Sequence, residues 1–119
     1  MNSRNTYLGR FLDDAINGLA DRSFQQRVWV MAEGPEVDCY DESIITFFDY
    51  YRMIKKDYKK YGLSEGEFEK IKHLEKRIRE HSRASNMGYD EEIIAHPLWE
   101  NVIKAAKDVK QALARFEQV

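Results

Sequence analysis

The sequence predicts an all-α fold: a single compact domain of five or six helices spanning residues 1–119. Three observations predict it. Apolar residues recur at helical spacing near both ends of the chain. Helix start signals, a Ser-x-x-Glu box and a His-Pro step, stand before the later stripes. Alternating runs joined by a hairpin turn are missing. A chain of 119 residues with 43% hydrophobic content suits one domain, and at this size folding buries roughly two thirds of the unfolded surface without metal or disulfide.

The first helix runs from about Thr6 to Ala20, because Leu8, Phe11, Leu12, Ala15, Ile16 and Leu19 form one stripe. Asn17-Gly18 at its end reads as a helical stop. Ser23 with Gln26 three residues on resembles a capping box, so a short second helix is predicted to carry Phe24, Val28 and Met31 inward. A strand over Val28, Trp29 and Val30 is the alternative; the helix is preferred because no second alternating run exists to pair with it. Gly34-Pro35 ends that element, and a polar acidic loop leads to Asp41. Asp41 or Ser43 then caps a helix carrying Ile44, Ile45, Phe47, Phe48 and Tyr51, with a pattern that extends through Met53, Ile54 and Tyr58 to Gly62. Its basic end, Lys55, Lys56, Lys59 and Lys60, suits the negative pole of the helix dipole.

Ser64 and Glu67 form the clearest capping box, opening a helix with Phe68, Ile71, Leu74 and Ile78 on one face and reaching about Ser82. Residues 83–88 read as a polar connector, after which Asp90 caps a turn holding Ile93 and Ile94. Pro97 is placed at the first position of a closing helix lined by Trp99, Val102, Ile103, Ala106, Val109, Leu113 and Phe116.

Composition bounds the function. One cysteine, Cys39, forms no internal disulfide, and no charged-then-apolar leader precedes Asn2, Ser3 and Arg4, so a cytoplasmic setting is expected. Apolar runs are far shorter than the roughly 18 residues of a membrane span. Lys and Arg number 19 against 21 Asp and Glu, a net charge of −2 that argues against nucleic acid as a partner. The interleaved acids and bases of 65–83 read as a solvated helix face.

Catalytic and metal-binding patterns are not found. The histidines are His73, His81 and His96; the first two are eight apart and read as surface or capping residues, and His96 as a cap or hinge. Cys39 lacks a Cys-x-x-Cys partner, the phosphate-binding, serine-hydrolase and zinc-protease motifs are missing, and Glu36-x-Asp38-x-x-Asp41 lacks the glycine and twelfth-position acid of a calcium loop. The chain is therefore read as a non-enzyme with neither cofactor nor metal.

Charge distribution is more informative than its total. Residues 1–50 hold four basic and nine acidic residues, a net of −5, whereas 51–119 hold fifteen basic and twelve acidic, a net of +3. Glu33, Glu36, Asp38, Asp41, Glu42 and Asp49 fall between Met31 and Tyr51, a stretch without Lys or Arg. With aromatics such as Tyr40 beside them, these acids combine electrostatic capture with anchoring, the needs of a small protein inhibitor.

The run Arg27-Val28-Trp29-Val30-Met31-Ala32-Glu33-Gly34-Pro35-Glu36-Val37-Asp38, followed by Asp41-Glu42 and the Phe47-Phe48-Asp49 helix, resembles small bacterial immunity proteins of contact-dependent growth inhibition and related polymorphic-toxin systems. The Ile93-Ile94-Ala95-His96-Pro97-Leu98-Trp99 segment is similar in style, and the resemblance covers roughly two thirds of the chain. It implies a cytoplasmic protein that binds the C-terminal domain of one toxin, often a nuclease, and occludes its active site or an essential surface; a monomer or weak dimer is expected. It carries no catalytic residues over. Glu33, Glu36, Asp38, Tyr40, Asp41, Glu42 and Asp49 are the nominated partner-binding residues, chosen by charge and aromatic character. The alternative is a helical adaptor or regulator using the Tyr and Lys surface from Tyr50 to Tyr61.

Overall fold

A computed structural model describes residues 6–85 and 88–117. The expectation about a leader at Asn2, Ser3 and Arg4, and the Asn86-Met87 part of the predicted connector, lie outside the described residues. Among the described residues six helices pack together, with a thinnest extent of 20 Å. No strand occurs among the described residues.

Helix α1 starts as Tyr7–Phe11, widens into a π-helical stretch at Leu12–Ile16 and closes as Asn17–Leu19. Thr6 caps it, its Oγ1 accepting from the Gly9 N–H at 2.9 Å. All six residues of the predicted stripe are buried. The helix does not stop at Asn17-Gly18 but at Ala20. Gly18 serves another purpose: a Cβ there would press on the Phe24 ring at 3.3 Å, so its bareness lets α2 fold tightly back.

Helix α2 begins as Arg22–Phe24 and continues π-helically through Gln25–Val30, so Val28–Val30 is helix rather than strand. Asp21, not Ser23, is its cap, accepting from the Phe24 N–H. The wider π turn carries Gln25, Val28 and Trp29 inward and leaves Met31, expected inside, 62% exposed. The chain then turns through Ala32 (φ 53°) and Gly34 (φ 94°).

Helix α3 spans Tyr40–Lys56 and buries Tyr40, Ser43, Phe47, Tyr51 and Ile54. Neither Asp41 nor Ser43 caps it: both lie inside the first turn, and the Tyr40 N–H donates instead to Asp90 Oδ2, fifty residues away, at 3.0 Å. The predicted extension to Gly62 is interrupted at Asp57, where the backbone opens (φ −160°, ψ 77°) before a 3-10 turn, Tyr58–Tyr61, closed by left-handed Gly62. That break lets Tyr58 stack on Phe68 at 4.5 Å and Tyr61 on Tyr7 at 4.7 Å.

Helix α4, Glu65–Ala84, opens on the predicted capping box with both reciprocal hydrogen bonds formed. Glu67 also receives Arg115 through two hydrogen bonds of 3.0 and 2.8 Å, and the guanidinium holds its carboxyl well below the usual range, at about 2. Ser64→Ala is expected to lower stability by about 1 kcal/mol, seen as an earlier midpoint in urea with an unchanged slope. Helices α5, Asp90–Ala95, and α6, Pro97–Ala112, are joined at His96, whose Nδ1 accepts from the Leu98 N–H at 3.1 Å. A 3-10 turn, Ala114–Phe116, follows. Helix α4 packs most extensively on α6; α1 lies against α3 and α6, and Trp99 of α6 is fully buried.

Candidate protein-binding surface

The surface rests on an aromatic and polar floor. Gln25 is fully buried and satisfies both ends of its amide: Nε2 donates to the Gly18 and Leu19 carbonyls at the end of α1, and Oε1 accepts from Trp99 Nε1 at 2.8 Å. Trp29 packs on Trp99 at 5.9 Å and Tyr40 on Trp99 at 5.6 Å. Trp29 Nε1 donates to Asp38 Oδ2 at 2.9 Å, and the Ser43 hydroxyl donates to the same oxygen at 2.7 Å. One carboxylate therefore ties α2, the following loop and the start of α3 together.

The nominated residues separate into three roles. Asp38 is half-buried and spent on those internal bonds. Glu36 grips Arg27 through two 2.9 Å hydrogen bonds, and the guanidinium lowers its carboxyl to about 2, so a cation from outside the 31–51 stretch folds back to neutralise it. Arg27 also donates to the Glu33 carbonyl, which pins the loop. Tyr40 is buried, 8% exposed, with burial and the nearby Asp41 and Asp90 charges raising its phenol pKa; it supports the surface from beneath. Glu33, Asp41 and Glu42 are exposed. Asp49 stands apart, two turns or about 12 Å along α3 from Asp41, paired with Arg52 at 3.3 Å.

Three further acids, Asp90, Glu91 and Glu92, complete the surface. Asp90 is not the local cap its position predicts: its bond to the Tyr40 N–H sets the first turn of α5 against the first turn of α3. The Asp-Glu-Glu run was visible; its proximity to Asp41-Glu42 was not, because the contact is long-range. Two positive helix ends underlie the carboxylates and offset part of their mutual repulsion. Among them opens a pocket of about 420 Å³ lined by Trp29, Val30, Gly88, Tyr89, Asp90 and Glu91. Tyr89 is 83% exposed and Val37 93% exposed, apolar groups presented beside the charges. No three His, Cys, Asp or Glu side chains among the described residues converge in a way that could hold a metal ion.

His81 departs from its predicted surface role. It ends the buried stripe of α4, fully enclosed, with Nε2 bonded to the Ile93 carbonyl at 2.9 Å and Nδ1 buried without a partner. Trp99, Tyr40 and His96 lie against its ring. Burial pushes its pKa below the ordinary 6.5, with the Ile93 carbonyl pulling upward and His96 downward. The unfolded chain therefore takes up a proton near pH 6.5 that the folded chain refuses, and stability falls as pH drops below that value. Thermal melts from pH 7.5 to 5.5 should show the fall, at most about 1.4 kcal/mol per pH unit, and His81→Leu should remove that part of the slope.

The tyrosines of the adaptor alternative are largely committed internally. Tyr51 is buried, Tyr50 donates to Asp14 at 2.5 Å, and Tyr58 and Tyr61 are stacked. Among the described residues no helix is long and apolar enough to cross a membrane. Comparisons with protein-family models, curated proteins and solved structures give no match to this chain.

Proposed function

We propose that this chain is a non-enzymatic inhibitor of the immunity-protein kind, acting in the bacterial cytoplasm by binding a toxin domain through a basic surface on that domain. The observation that carries the reading is the Tyr40 to Asp90 hydrogen bond, which sets the acidic starts of α3 and α5 together, while Asp38 ties the loop after α2 to the start of α3. Glu33, Asp41, Glu42, Glu91 and Glu92 are exposed there and make no ion pair among the described residues. A single-sign field of this kind speeds encounter with an opposite charge, and the pocket beside Tyr89 gives an apolar or cationic side chain a place to seat. Toxin and immunity genes stand together, so the partner is sought in the product of the adjacent gene. Co-purification of that product with this chain, lost at high salt, is the expected result. Failure of the two to associate at low salt would remove the reading.

A further inference from the structure

A second surface meets the acidic one at Asp41 and runs from there along α3. Helices α3 and α4 are the two longest, yet their backbones stay apart while α4 packs closely on α6. The channel between them consists of three adjoining depressions, of about 330, 180 and 290 Å³. Ile44 and Ser82 are shared by the first two, and Phe48 and Arg79 by the last two, so the depressions follow one another in a row along α3. The row extends from Tyr40 to Lys55, about 22 Å or four helical turns.

The floor is apolar, with half-buried Ile44 and Phe48 over Ile78, and Ile45 is 60% exposed on one lip. The lining holds four cations, Arg52, Lys55, Arg79 and Arg83, against one carboxylate, Asp41. Arg79 lies over the Phe48 ring at 5.1 Å and pairs with Glu75 of its own helix; Arg52 pairs with Asp49 of its own. Lys55 and Arg83 form no ion pair among the described residues.

We propose that this channel docks an amphipathic helix of a partner protein whose apolar face is flanked by carboxylates. Its length matches about four turns, its floor receives anchors at i, i+3 or i+4 and i+7, and its lining complements acidic flanks. This surface is opposite in sign to the toxin-facing one, and the inference stands whether or not that reading holds.

The test uses the full chain and two fluorescein-labelled, side-chain-stapled helical peptides of sixteen residues. Both carry Leu at the anchor positions; one has Glu on its flanks and the other Lys. The Glu peptide should bind, as read by anisotropy at low salt, and weaken by about tenfold or more with Lys55→Glu and Arg83→Glu together. Ile45→Asp, at an exposed site, should leave the circular dichroism unchanged and weaken binding as well. Equal binding of the Lys peptide, absence of binding, or indifference to these substitutions would overturn the proposal. So would a wild-type dimer in sedimentation that Ile45→Asp dissolves, since the channel would then be covered by a second copy.

Discussion

Replacing Asp41, Glu42, Glu91 and Glu92 together by lysine is expected to slow capture of a basic partner by about 100-fold at low ionic strength. The four side chains are exposed and enter none of the hydrogen bonds that build the surface, whereas Glu36, Asp38 and Asp90 do. The substitution therefore changes the field with little change in the scaffold. Lysine near a helix N-terminus does cost stability, about 0.3–1 kcal/mol at each site, so a matched variant with Asn and Gln at the four positions separates the two effects. It should fold as well as wild type and show an intermediate association rate. The difference between variants should shrink as salt rises, because the Debye length falls to about 8 Å at physiological ionic strength. Stopped-flow association at several salt concentrations reads this directly, and wild-type rates in the lysine variant would take these residues out of the interface.

Gln25→Leu is expected to destabilise the fold by about 3 kcal/mol or more. The side chain is fully buried, and its loss leaves Trp99 Nε1 and the Leu19 carbonyl enclosed without partners. Each orphaned buried group costs about 1–3 kcal/mol, more than an intact hydrogen bond contributes. For a domain of this size that lowers the melting temperature by about 10 °C or more. Trp99→Phe removes the indole donor from the other side. The double variant should lose less than the two single losses added together, with a coupling of about 1 kcal/mol or more. A strictly additive double variant would mean that the amide and the indole do not act as one unit.

The apolar stripes of α1, α4 and α6 were legible because period and capping are local properties, and the structure buries the residues they name. The Ser64 box, the Pro97 start and the His96 cap were legible for the same reason. The misreadings have several causes, some local and some long-range. Ser23 was displaced as a cap by Asp21, and α3 is capped from Asp90 across the molecule. His81 lies at helical register with Ile78 and Leu74, yet polarity masked its place in the stripe. The acidic segment was legible as composition, but composition does not reveal that Arg27 neutralises Glu36, that Asp38 points into the scaffold, or that Asp90, Glu91 and Glu92 join the group. Side-chain hydrogen bonds spanning five to fifty residues decide which carboxylates remain available, and these have no period in the sequence.

The central claim is that the exposed acids of the loop, α3 and α5 neutralise a basic toxin. Survival of cells that express the adjacent gene's product tests it most directly, with wild type, the four-lysine variant and the matched Asn and Gln variant supplied in turn at equal soluble levels. The account predicts that wild type protects, that the Asn and Gln variant protects partly, and that the lysine variant fails. Equal protection by the lysine variant, or death of cells carrying wild type, would contradict it.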